Sequence, residues 1–213
     1  MLAARIYADR WDVDARLVPF EATRPELIEI VKGVVGARAD AVENDPVTAE
    51  GLFAYIFGTR YLRSIFRSKG YLLHRKDNIE GVSHPARNLR IIYQSVDQAS
   101  SPSHDPQAVS GKGSAADRLI GDAQGSLFTN EELAAAQTLN FSRIDTGVWF
   151  FCVSVNGDKV CAELSLPLKV EGGNFKGFIE RIFIVRDGEW SDIVEKPIDQ
   201  ADAAQFEPKI SRK

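Results

Sequence analysis

The sequence lacks the features of membrane and secreted proteins. It has no apolar run of about 18 residues, and its first residues, MLAARIYADRW, contain no signal-peptide core. Its two cysteines, Cys152 and Cys161, fit a reducing compartment in a chain of 213 residues. We therefore expect a cytoplasmic protein that does not contact a membrane.

Common catalytic and metal-binding patterns are also missing. The three histidines, His74, His84 and His104, have no cysteine or second histidine at metal-ligand spacing. There is no GxSxG turn, and neither cysteine has a histidine close to it in the sequence. We therefore assign no catalytic residue, metal ligand or cofactor, and the sequence leaves open whether the protein is an enzyme.

The sequence does contain an ordinary globular composition with an uneven distribution of charge. It is 44% hydrophobic and 26% charged, and its 30 acidic residues outnumber its 26 basic ones. This balance argues against a general nucleic-acid coat, because phosphate binding needs a positive contacting face. The segment from Arg60 to Arg90, however, contains eight basic residues and only two acidic ones, Asp77 and Glu80. Its net charge is therefore +6, and the rest of the chain carries a net charge of −10.

The longest helical pattern overlaps the start of this basic segment. Thr48 is placed to cap a helix that stops at Gly70, a length of about five turns. At 100° per residue, Arg60, Arg63 and Arg67 fall on one face of this helix. The other side carries four apolar residues: Tyr55, Leu62, Ile65 and Phe66.

Other local signals complete an α+β pattern. Another helix begins at Thr23, where Pro25 and Glu26 complete a capping box. Weak alternation at residues 5–7 and 15–18 predicts one or two edge strands, and residues 71–74 and 88–97 predict two more. Strand patterns after residue 147 complete a predicted α+β fold, with a helical N-terminal half packed on a C-terminal antiparallel β-meander.

The strongest hairpin signal is Asn156-Gly157, because this pair tolerates the positive φ values of a type I′ turn. A two-residue loop there places Cys152 directly across from Cys161 on the paired strand. A disulfide is then geometrically possible, but reduced thiols are favoured in a cytosolic protein. The next strand, over residues 177–186, is apolar on both faces, which predicts a helix on each side of the sheet, or a helix on one side and a partner on the other.

Residues 98–113 are rich in serine, proline and glycine and predict a long mobile loop within a single domain over residues 1–197. Residues 198–213 predict a polar tail. The loop ends with Lys112 before a predicted helix that carries Arg118, an arrangement that suits an anion. Its match to a phosphate-binding loop is poor, because the first glycine and the final serine or threonine are missing.

Carboxylates on the predicted strands offer a different chemistry. Glu163 and Glu180, with Asp145 and Asp158, have some likeness to the acidic core of a metal-dependent nuclease. The lysine expected two positions after Glu163 is missing, however. Structural ion pairs of Glu163 or Glu180 with Lys159 or Arg181 are therefore favoured over a metal site.

These observations predict an accessory protein that contacts nucleic acid or another polyanion through a basic helix face. Arginine, which predominates there, binds phosphate through its planar fork. One alternative is a protein-interaction or homo-oligomeric module without catalysis, which docks on an acidic protein surface or a second copy. A further alternative is a divergent metal-dependent nuclease-like hydrolase. The predicted nucleic-acid contacts are Arg60, Arg63, Arg67, Lys69, Arg75, Lys76, Arg87, Arg90, Lys112 and Arg118.

Overall fold

Two of the described helices lie where the local capping signals predict them. The computed structural model describes residues 4–76, 79–110 and 146–195. At the start of the helix Arg24–Ala39, Thr23 Oγ1 accepts a hydrogen bond from the Glu26 backbone N–H, and the Glu26 carboxylate accepts one from the Thr23 backbone N–H. The described helices are α1 (Arg10–Leu17), α2 (Arg24–Ala39), α3 (Ala49–Ser68) and α4 (Glu189–Glu195).

The described strands form one large sheet and one small hairpin. The sheet strands are β1 (Arg5–Tyr7), β2 (Leu72–Lys76), β3 (Ile79–Ser83), β4 (Leu89–Ser95), β5 (Gly147–Asn156), β6 (Lys159–Pro167) and β9 (Phe178–Val185). Their order across the sheet is β1-β9-β6-β5-β4-β3-β2. The hairpin pairs β7 (Val170–Glu171) with β8 (Asn174–Phe175).

The α+β class is confirmed, but the sheet is mixed and not a simple antiparallel meander. β5, β6 and β9 are antiparallel neighbours, whereas β4 pairs with β5, and β1 with β9, in parallel. Residues 96–146 join β4 to β5, and this connection is long enough for the crossover of about a dozen residues that parallel neighbours need. Strands from the first half of the chain therefore extend the C-terminal sheet.

Of the one or two edge strands predicted near the N-terminus, one forms. Residues 5–7 form β1 at an edge of the sheet, as expected, but residues 15–17 belong to α1 and Val18 starts a 3-10 turn. The buried residues of α1 are Val13, Arg16 and Leu17, whose spacing of three and four is helical. The weak alternation at residues 15–18 was too short to reveal this longer period.

The β5–β6 hairpin forms, but its register differs from the prediction. Asn156 pairs with Lys159, so the loop is Gly157-Asp158 and not Asn156-Gly157. Gly157 has a φ of +59° and is the only residue of the turn with a positive φ, as a type II′ turn requires at its first loop position. Cys152 therefore faces Glu163, and Cys161 faces Ser154. Both cysteines are buried, and no disulfide joins them.

Both faces of the central strands are buried. On one face, α1, α2 and α3 cover a core that contains Trp149, against which Phe20 packs edge-on at 4.7 Å. On the other face, Phe150 packs against Phe175 of the β7–β8 hairpin. A helical layer is therefore present on one face, as predicted, but in the described residues the second face is covered by the hairpin and the loop over residues 97–110 and not by a second helix.

The first part of the loop predicted to be mobile packs on this second face. Val96 forms an isolated bridge with Ala108, and Ala99 and Ser100 are buried. The Ser100 backbone N–H donates to the Glu163 carboxylate, and the Ser100 hydroxyl donates to the Ala162 carbonyl. The mobility of this loop stays a prediction. Separately, no described helix is long and apolar enough to cross a membrane.

Candidate anion-binding site

Helix α3 lies across β3 and β4 near one edge of the sheet, and a glycine sets how closely it approaches. Leu62 and Phe66 are fully buried on its inner face. A Cβ atom on Gly58 would lie 2.5 Å from the Tyr93 ring of β4, so only glycine fits at this contact. The outer flank of the helix faces β2, the edge strand.

A cleft of about 610 Å³ lies between α3 and β2. The helix lines it with residues three or four positions apart, and β2 lines it with Leu73 and Arg75, which share one face of the strand. The structure thus brings together four of the predicted contact residues. The lining residues are Ile56, Thr59, Arg60, Arg63, Ser64, Arg67, Leu73 and Arg75.

Arg63 joins the helix to the β2–β3 hairpin. Its Nε donates to the Gly81 carbonyl, and its Nη2 donates to the His74 carbonyl at 3.1 Å and to the Glu80 carboxylate. The side chain is only 17% exposed. Because three contacts fix the guanidinium, Arg63 holds the two walls of the cleft together, and its Nη1 donors stay available.

The other three arginines of the cleft are more open to an external anion. Among the described residues, no carboxylate pairs with Arg60 or Arg67, and both are exposed. The Arg60 guanidinium lies over the Phe57 ring at 4.4 Å, which orients it. Arg75 is 64% exposed and lies 3.6 Å from Glu80. In the part of the chain that the structure describes, the cleft therefore has four guanidinium groups and one neighbouring carboxylate, that of Glu80.

Thr59 and the apolar walls are site residues that the sequence analysis missed. Thr59 is 6% exposed, and its Oγ1 has no hydrogen-bond partner although it lines the cleft. Ile56 and Leu73 supply apolar surface beside the arginines. A sequence signal could have identified Ile56 and Thr59. They share one face of the helix with Arg60, Arg63 and Arg67, and they extend the arginine stripe by one turn.

The remaining predicted contacts lie outside the cleft. Lys69 is paired with Glu26 at 2.7 Å, and Arg87 donates to the Pro19 carbonyl and to Glu21. These two bases hold α2 and the 3-10 turn in place. Lys76 and Arg90 do not line the cleft. Lys112 and Arg118, together with the helix predicted around them, fall outside the described residues.

Burial shifts the pKa of two titratable groups near the cleft. It lowers the pKa of His74, and the positive charges of Arg90 and Lys76 lower it further. Burial raises the pKa of Tyr55, and the Glu80 carboxylate adds to this effect. Tyr55 is partly exposed on the helix, one turn before Thr59.

Glu163 and Glu180, two of the four carboxylates considered for a metal-dependent hydrolase, are held by arginines. Arg181 donates two parallel bonds of 2.8 Å and 2.7 Å to Glu163, and Arg16 donates to Glu180 at 2.5 Å. Asp145 lies outside the described residues. Within the described residues, no group of three or more metal-ligating side chains is placed to hold an ion. The expected ion pair of Glu163 with Arg181 is therefore present, whereas Glu180 pairs with Arg16, which the sequence analysis did not name.

Comparisons with known proteins add no assignment. No family model, no curated protein and no solved structure matches this chain.

Proposed function

We propose that this protein binds nucleic acid through the arginine cleft between α3 and β2. The observation that carries the proposal is the convergence of Arg60, Arg63, Arg67 and Arg75 on one cavity, with Glu80 as their acidic neighbour. Arginine matches phosphate through a planar fork of donors. Arg60 and Arg67 are exposed, and no carboxylate among the described residues pairs with them. They support the proposal because arginines already held in ion pairs would be less able to bind an external phosphate.

The charge distribution restricts where such a ligand can bind. The whole chain carries −4, so a polyanion is repelled by most of the surface and attracted locally. Binding confined to one cleft involves few phosphates. With three arginines making phosphate contacts, the logarithm of the binding constant should fall against the logarithm of salt concentration with a slope of about −2 to −3.

Fluorescence anisotropy with labelled oligonucleotides over a salt series tests this proposal. We expect the double charge reversal R60E/R67E to weaken binding by more than about tenfold. The matched control is R10E, because Arg10 is exposed on α1 near the opposite edge of the sheet. Equal losses for R10E and R60E/R67E, or affinity that does not depend on salt, would contradict the proposal.

A second candidate is a protein-interaction module, and the exposed edge strand β2 favours it. Leu72 is 57% exposed and Leu73 is 39% exposed on a strand with no described neighbour on its outer side. Unpaired edge strands accept partner strands readily. Light scattering over a range of concentrations tests self-association: a dimer that L72K dissociates would support this candidate, and a concentration-independent monomer would exclude the homo-oligomer.

A further inference from the structure

The two largely buried residues that line the arginine cleft bear on the kind of nucleic acid it accepts. Arg63 and Thr59 line the cleft and are mostly covered, so a ligand group must enter between the helix and the strand to reach them. Duplex DNA is usually contacted by an element that projects into its groove. Cavities of about 300–1,000 Å³ hold ligands of drug size, which is the scale of a short stretch of one strand.

The buried hydroxyl of Thr59 is an independent sign of a ligand. Buried polar groups nearly always have a hydrogen-bond partner, and Thr59 Oγ1 has none. It lies on the same helix face as Arg60 and Arg63 and lines the same cavity. A hydroxyl donates to a phosphate oxygen as readily as to a carbonyl. A phosphate held between the Thr59 hydroxyl and the Arg63 Nη1 donors would satisfy both groups.

The apolar walls distinguish a nucleic acid from a simple polyanion. Ile56 and Leu73 line the cleft beside the charged groups, and Tyr55 is partly exposed nearby. Inorganic polyphosphate and sulfated polysaccharides gain little from such surface, whereas an unpaired base can lie against it or stack on the tyrosine ring. Bases in a duplex are stacked on one another and cannot reach these walls.

We propose that the arginine cleft binds single-stranded nucleic acid, with one phosphate held by the Thr59 hydroxyl and Arg63 and a base placed against Ile56 and Leu73. This inference rests on the proposed function and specifies its ligand. Arg60 and Arg67 are two turns of α3 apart, which is about 10 Å along the helix axis. In this arrangement they contact the phosphates on either side of the one held by Thr59 and Arg63.

The test measures anisotropy with a labelled single-stranded 12-mer of mixed sequence and with its duplex, in DNA and RNA forms. We expect the single strand to bind at least about tenfold more tightly than the duplex. T59V, which removes the hydroxyl and keeps the side-chain shape, should weaken single-strand binding about fivefold, whereas T59S should restore it. The matched control is T48V, since Thr48 is exposed at the start of the same helix and its side chain makes no capping bond.

Each outcome separates this inference from the proposed function. If the duplex binds more tightly than the single strand, and R60E/R67E still weakens binding, the single-strand inference is overturned while the proposed nucleic-acid binding remains supported. Unchanged binding in T59V, with normal binding in T48V, overturns the role of the hydroxyl. Binding of unlabelled heparin or a polyglutamate peptide in preference to every oligonucleotide overturns both proposals. Circular dichroism melts of each variant show whether a loss reflects unfolding.

Discussion

At the scale of single residues, the buried charged side chains of this protein form ion pairs that connect parts of the fold. Arg181 and Glu163 are both almost completely buried, and Arg181 also donates to the carbonyls of Ser101 and His104 in the loop above. One ion pair therefore connects β6, β9 and the loop. The sequence suggested the pair of Glu163 with Arg181, but it could not show the loop contacts, which depend on residues about 80 positions away.

Breaking this pair should be costly. E163Q leaves the Arg181 guanidinium buried without a full counter-charge, so we expect a loss of about 3–5 kcal/mol in the free energy of unfolding. Urea denaturation measures the change, and amide hydrogen exchange should quicken at residues 100–105. The exposed pair of Lys169 and Glu171 supplies the control, because K169M should leave the unfolding midpoint unchanged. A similar small effect for E163Q would show that the pair is dispensable.

The lowered pKa of His74 predicts an acid-sensitive fold. Between its folded pKa and its ordinary value of 6.5, the unfolded chain takes up a proton that the folded protein does not. The free energy of unfolding should therefore fall as the pH drops below about 6.5. H74Q, which cannot protonate, should show a shallower decline between pH 7 and pH 5 in urea titrations. Identical pH slopes in both proteins would rule out His74 as the source.

At the scale of elements, helix α3 forms one wall of the cleft, and substitutions of its glycines test how closely it packs on the sheet. G58A adds a methyl group that must overlap the Tyr93 ring, so we expect a destabilisation of about 1–3 kcal/mol. G51A in the same helix meets open space and should stabilise the protein by about 0.5–1 kcal/mol. Thermal or urea unfolding of the two variants measures the contrast. If both variants were stabilised, the close approach of α3 to β4 would be disproved.

The elements also show what local sequence reasoning can predict. Capping chemistry at Thr23 is local, so the start of α2 was predicted correctly. In the β5–β6 hairpin, Asn156-Gly157 correctly located the turn, but the pairing shifted because Gly157 takes the first loop position. A shift of two residues on one strand keeps every side chain on its face, so Cys152 and Cys161 still lie on the same face of the sheet although they no longer pair.

At the scale of the whole molecule, the sheet order was beyond the sequence. The parallel contact of β4 with β5 depends on a connection over residues 96–146, and the parallel contact of β1 with β9 joins the two ends of the described chain. No local pattern encodes such distant pairings. The basic stripe on α3 was predicted, but the cleft was not, because its second wall comes from β2 and its depth comes from the packing of α3 on the sheet.

The strand order also separates the two edges of the molecule in a useful way. β1 and β2 occupy opposite ends of a seven-stranded sheet, six strand spacings or about 29 Å apart. A dye or a surface linker attached near Arg5 is therefore remote from the arginine cleft, while one attached at Lys76 lies on the strand that forms one wall of the cleft. Immobilisation through the β1 edge should leave the arginines of the cleft exposed to solution, whereas immobilisation through the β2 edge should block them. The strand order therefore determines which edge should be attached to a sensor surface.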